Sequence, residues 1–285
     1  MIALADLVFK VLRTIEYLPP WPGARWNALF RLAAKAAGID PEAAYEALVP
    51  ERWGPRPWLA GEETRIRIVF QVENFPLTLA FLGSLFRGGI GEGFSAGQTL
   101  GLTGLAWPYG PEAGLVHHFP LSRLSPPPWP EDWLHREAAA LRRLNGPFSL
   151  VFRAPLRLYR PVEAPGCGEY IGPEFFTWGR ALPYLLARVR YLPGLTEDEL
   201  GGLRAAPGGD LVWLDRALIR ERSMKLGGVT GRLLVQGRLS PAAAGLLVAG
   251  QYLGVGKNGR FGFGFYRIPE LDSHRPWPLF PSFFS

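Results

Sequence analysis

The sequence predicts an α+β chain built from two similar halves, and three observations carry that prediction. Each half runs in the order strand, helix, strand, strand, helix, strand. Each ends with a glycine-rich loop that follows a short apolar helix and precedes an extended segment. A proline-rich stretch separates the two. The repeated order is the ferredoxin-like arrangement. The reading is therefore two tandem ferredoxin-like domains, over residues 1–108 and 147–285, joined by a connection over 109–146.

The elements of the first half follow from spacing. The apolar stretch from Ile2 to Ile15 contains a strand, and Pro19, Pro20 and Pro22 then form a turn. Trp26, Leu29, Phe30 and Ala33 recur at helical spacing, which predicts a helix from Ala24 to Ala37 with Gly38 as its stop. Ile66, Ile68, Phe70 and Val72 alternate with Arg65, Arg67, Val69 and Gln71, the period of a strand. A short apolar helix covers Leu77–Phe86, then come Gly88-Gly89-Ile90-Gly91-Glu92-Gly93 and an extended segment to Leu105.

The stretch between Trp107 and Pro147 holds Pro108, Pro111, Pro120, Pro126, Pro127, Pro128 and Pro130, with a short helix at Asp132–Leu144. The second half opens on a strand at Phe148–Tyr159, followed by a helix at Glu174–Tyr191. Two strands are expected at Asp210–Arg220 and Met224–Leu239, and a helix at Pro241–Tyr252. The loop Leu253–Arg260 leads into an expected strand at Phe261–Ile268.

Composition narrows the function classes. The 285 residues are 48% hydrophobic and 20% charged, which argues against disorder. A single cysteine, Cys167, excludes a disulfide framework and a Cys-based zinc site. The best apolar run, Pro241–Gly250, is shorter than the roughly 20 residues a spanning helix needs, and the expectation is a cytoplasmic protein. Of 31 basic residues only Lys10, Lys35, Lys225 and Lys257 are lysine, and the net charge is +6. Arginine presents a planar fork of donors that suits phosphate and stacks on bases, so a polyanionic partner is plausible.

The segment Gly254-Val255-Gly256-Lys257-Asn258-Gly259 satisfies the spacing G-x-G-x-x-G. A dinucleotide-binding loop needs a strand before it and a helix after it. Here the helix comes first, so that reading fails. A P-loop fails as well, because Asn258 stands where Ser or Thr is required. What remains is a helix-to-strand loop that either exposes backbone N–H groups to an anion or lets another chain approach closely.

Trp213-Leu214-Asp215-Arg216, Arg220-Glu221-Arg222-Ser223-Met224-Lys225-Leu226-Gly227-Gly228-Val229-Thr230-Gly231 and Tyr252 to Gly264 together resemble the C-terminal region of the CRISPR repeat-processing endoribonucleases. These belong to the RAMP superfamily, with RRM-like domains and a glycine-rich loop after the last helix. The resemblance covers Leu211 to Ile268. Pro20-Trp21-Pro22-Gly23 and Gly88–Gly93 resemble the N-terminal domain more loosely. It implies cleavage of CRISPR repeat RNA without metal or other cofactor. The 2′-hydroxyl attacks the adjacent phosphate, leaving a 2′,3′-cyclic phosphate and a 5′-hydroxyl. The implied partner is repeat RNA, with other CRISPR effector subunits or a homodimer as further associations. The alternative within the superfamily is a subunit that holds CRISPR RNA without cutting it.

Many members place a catalytic histidine in or just after the first helix, and this sequence has none between Met1 and Trp107. That region offers Arg31, Lys35 and Tyr45 instead, with Arg31 and Lys35 four apart on one helix face. His117 and His118, in the connection, complete the candidate catalytic set. For RNA binding, Arg220, Arg222 and Lys225 bracket a turn between strands. Gly254, Gly256, Lys257, Asn258 and Arg260 belong to the glycine-rich loop. No metal site is expected.

Overall fold

The structure, a computed structural model, describes residues 2–16, 23–50, 57–88, 100–109, 112–119, 121, 124–127, 131–144, 147–159, 176–189, 210–221, 226–237, 239–257 and 259–274. The chain divides into two compact units. One comprises Met1–Trp129 together with Arg260–Gly262, and the other comprises Pro130–Gly259 and Phe263–Pro276.

In the first unit, β1 (Ile2–Val11) leads to α1 (Gly23–Ala36), the one-turn helix α2 (Pro41–Ala44), β2 (Ala47–Pro50), β3 (Glu63–Gln71), α3 (Phe75–Gly88), β4 (Leu100–Ala106) and β5 (Val116–His118). The sheet order is β2-β3-β1-β4-β5, with every neighbouring pair antiparallel. The first four strands form the ferredoxin-like sheet, and β5 extends its edge beside β4. Period-2 alternation sends Ala3, Ala5, Leu7, Phe9 and Val11 of β1, and Ile66, Ile68 and Phe70 of β3, into the core. There they meet Trp26, Leu29 and Phe30 of α1 and Phe81, Leu82 and Leu85 of α3, as the spacing of the α1 residues predicts. Trp26 packs its ring against Phe9 at 5.1 Å and against Trp58 at 6.0 Å. The opposite face of β1 and β3 is buried too. Asp6 stands across from Arg67 there, and its two carboxylate oxygens accept from Nε at 2.7 Å and Nη2 at 2.9 Å.

In the second unit, α4 (Glu131–Arg143) precedes β6 (Phe148–Leu156), α5 (Trp178–Val189), β7 (Asp210–Glu221), β8 (Leu226–Gln236), α6 (Pro241–Leu253) and β9 (Tyr266–Arg267). The sheet order β7-β8-β6-β9 is again the ferredoxin-like one, all antiparallel. The fold is thus α+β with two tandem ferredoxin-like units. Ser240 caps α6, its hydroxyl accepting from the Ala243 N–H at 3.1 Å, and Pro241 sits in the first turn. From Ala242 to Leu253 every residue of α6 is buried. The helix therefore lacks a polar face, and it packs against α4 and α5.

Three elements differ from expectation. Tyr159 follows the end of β6 and makes only an isolated bridge. The Pro-rich connection supplies β5, an edge strand too short to signal itself. The strand expected at Phe261–Ile268 is confined to Tyr266–Arg267, after a 3-10 turn at Gly259–Phe261. Gly262 and Gly264 have φ of 74° and 77°, outside the extended region, so the alternation of Gly and Phe that suggests a strand marks a bend.

Candidate functional site

The glycine-rich loop begins where α6 stops. Gly254, at φ 70°, ends the helix by donating its N–H to Gly250 at 2.8 Å. The Val255 N–H donates to the Gly264 carbonyl at 3.0 Å and the Lys257 N–H to the Arg157 carbonyl at 2.8 Å. Of the two roles open to the loop, close approach of another backbone stretch is the one these bonds serve. These three N–H groups are committed within the protein and are not offered to an anion. A Cβ on Gly256 would lie 2.4 Å from the Arg157 carbonyl oxygen, and one on Gly264 would lie 1.7 Å from that of Val255. Only glycine fits at either position.

Pinned in this way, the loop presents Lys257 on fixed backbone. Lys257 extends over the ring of Tyr159, with Nζ 4.7 Å from the centroid, and lies 5.9 Å from that of Tyr184. Tyr159 is 47% exposed, so an ammonium and an aromatic ring stand together at the surface. Of the other expected RNA contacts, Arg220 lies on β7 opposite Gly227. Its side chain, and the residues Arg222, Lys225 and Asn258, lie outside the described residues.

Arg260 belongs to the first unit and packs there on Tyr45 and Glu42. Its guanidinium carbon lies 5.5 Å from the centroid of the Tyr45 ring, Nη2 donates to the Glu42 carbonyl at 2.9 Å, and Nη1 pairs with Glu42 Oε2. The other carboxylate oxygen of Glu42 accepts from Arg31 Nη1 at 2.9 Å. Asp40 shapes this corner, because its side chain accepts from the Glu42 N–H at 2.9 Å and caps α2. Lys35 is exposed one turn beyond Arg31 on α1.

Tyr45 lies beneath this cluster, 1% exposed, among Phe30 and Phe81. Its hydroxyl donates to Asn27 Oδ1 at 2.8 Å. Burial pushes the phenol well above its ordinary range, against the opposing pull of Arg260 and Arg31. At neutral pH Tyr45 is a neutral hydrogen-bond donor that supports the arginines from below. His117 and His118 sit on β5. His117 Nε2 is 3.2 Å from Glu112 Oε2, and His118 Nδ1 is 3.2 Å from the Thr103 carbonyl. Sequence reasoning missed Asn27, Glu42, Tyr159 and Tyr184. The only available signal was the Asp40-Pro41-Glu42 helix start.

Residues 148–266 match the family model of the CRISPR-associated endoribonuclease Cas6. This agrees with the resemblance drawn from Leu211 to Ile268. Among solved structures, the chain is similar to a partial Cas6-RT-Cas1–Cas2 complex, with a TM-score of 0.68 and 12% identity. That match covers 94% of this chain and 45% of the other, so the chain spans less than half the length of that relative. A Cas6 product complex is similar at a TM-score of 0.58 and 18% identity, over 94% of this chain and 99% of that one. Thermus thermophilus Cas6 is similar at 0.51 and 14%, over 93% and 97%. Likeness at such identities establishes the fold. No curated protein matches the chain.

Proposed function

We propose that this chain, with its Cas6-type residues 148–266, binds precursor CRISPR RNA and cleaves it within the repeat. The observation that carries the reading is that family match, on a chain whose two units both have the ferredoxin-like sheet order. The cleavage is metal-independent. The 2′-oxygen of the nucleotide before the cut forms a bond to phosphorus as the bond to the 5′-oxygen breaks. Its proton passes to a base, and the leaving oxygen takes a proton in turn. A cyclic phosphate and a 5′-hydroxyl result. The charge that builds on the phosphate oxygens is met by Arg31 and Lys35, with Arg260 beside them. Tyr45 holds its proton at neutral pH, so it positions the arginines and does not act as the base. His117 and His118 are the imidazoles available for proton transfer. Lys257, with Tyr159, contributes to holding RNA. Domain boundaries at 108 and 147 belong to the same proposal.

A second reading has one specific observation in its favour. No histidine stands between Met1 and Trp107, which suits a subunit that holds CRISPR RNA in an effector complex without cutting it. One assay separates the two. The protein, in EDTA, is mixed with CRISPR repeat RNA from its own host and with a copy carrying a single 2′-deoxy substitution at the cut. A single cut that the substitution blocks is the expected result. Tight binding without a cut selects the second reading, and no binding at any salt concentration sinks both.

A further inference from the structure

Arg31 and Arg260 converge on one carboxylate. Glu42 accepts from Arg31 through Oε1 and pairs with Arg260 through Oε2, so both carboxylate oxygens are engaged. Two guanidinium groups around one carboxylate leave a net charge of +1. A phosphodiester presents the same pair of geminal oxygens and the same single charge. We propose that Arg31 and Arg260 form a subsite for an RNA phosphodiester, and that Glu42 occupies it until the RNA phosphate takes its place.

Three features fit this exchange, which rests on the RNA-binding reading above. Arg260 does not depend on the carboxylate for its position. Its Nη2 donates to the Glu42 backbone carbonyl and its guanidinium carbon lies over the Tyr45 ring, so the group stays in place when the side chain of Glu42 leaves. Glu42 can leave easily, because its side chain is 59% exposed and that of Arg31 is 44% exposed. Helix α2 does not need the carboxylate either, since its cap uses the Glu42 backbone N–H and Asp40. Glu42 is therefore a positioning residue. It holds the two guanidinium groups at one carboxylate in the free protein and competes with the substrate for them.

The test is the affinity of Glu42→Gln and Glu42→Ala for host CRISPR repeat RNA with a 2′-deoxy block at the cut, or native repeat RNA if the protein does not cut. Two ion pairs to one exposed carboxylate, one from exposed Arg31 and one from half-buried Arg260, set the scale of the competition. Removing the charge should tighten binding about three- to thirtyfold at low salt. The gain should shrink at high salt, where exposed pairs are screened. In the Arg31→Ala background the same substitution should gain markedly less, because half of the subsite is gone. Unchanged or weaker binding by both variants, with thermal unfolding like that of the wild type, overturns the subsite alone. If the wild type itself has no RNA affinity, the proposed function falls and this ligand with it.

Discussion

Asp6 and Arg67 face each other across β1 and β3 with both carboxylate oxygens bonded, and neither residue is more than 5% exposed. Removing one charge of such a pair strands the other in a low-dielectric interior. Asp6→Asn should therefore cost about 3–5 kcal/mol, measured as a lowered urea midpoint at unchanged m-value. A stability change under 1 kcal/mol would mean that water reaches Arg67. Alternation along β3 places Arg67 on the face opposite Ile66, Ile68 and Phe70. Its partner, and the burial of that face, came only with the folded sheet. Tyr45 makes the same point at the candidate site. As a sequence position it is a phenol near the first helix, whereas in the fold it is buried support for Arg260.

At the scale of elements, the glycine-rich loop is a packing device that carries cations. The Gly264 N–H donates to the Pro155 carbonyl at 2.9 Å while its own carbonyl accepts from Val255, so β6, the loop and the approach to β9 are tied at one residue. Gly264→Ala would place a methyl 1.7 Å from the Val255 oxygen at a φ of 77°. The expected outcome is a loss of about 3 kcal/mol or more and weakened RNA binding through the displaced Lys257. Unfolding curves and RNA titrations of this variant check both. A loop that only cradled an anion would tolerate the substitution in stability while losing affinity. The apolar run Pro241–Gly250 falls in α6, whose residues from Ala242 to Leu253 are all buried.

For the whole molecule, two responses to solvent follow. Burial pushes the Tyr109 phenol up to about 12, partly offset by the Leu4 N–H that donates to its oxygen and by the nearby Arg67. Tyr45 and Tyr266 are raised further by burial. These phenols are protonated in the folded state and ionise at their ordinary value of 10.0 once unfolded. Their stabilisation is complete below pH 10 and is lost as pH rises through the folded values. Tyr109 alone should cost about 3 kcal/mol between pH 10 and 12, visible as a falling unfolding midpoint. Tyr109→Phe should flatten part of that fall. In RNA binding, each phosphate contact adds about 0.7 to the slope of log affinity against log salt for single strands. Neutralising Lys257 and Arg260 together should reduce that slope by about 1.4. An unchanged slope would place the phosphate contacts elsewhere. No helix among the described residues is long and apolar enough to cross a membrane.

Short-range periodicity determined the two-fold repeat of βαββαβ, the alternation of β3, the inward face of α1 and the place of the glycine-rich loop after α6, because side-chain alternation and helical spacing are local properties; the first such loop, Gly88–Gly93, lies outside the described residues from Gly89 on. Cations in and near the glycine-rich loop at residues 254–260 were legible for the same reason, as composition and position along the chain. What the tertiary structure decided was which of those cations meet. Glu42 and Arg260 are separated by 218 residues, and no local pattern encodes a contact at that range. It also decided that the alternating Gly and Phe of residues 261–265 bend instead of extending, since the close approach of Val255 to Gly264 is a packing fact. The edge strand β5 was invisible for a related reason. Three residues carry no period, and β4 alone makes Val116–His118 a strand.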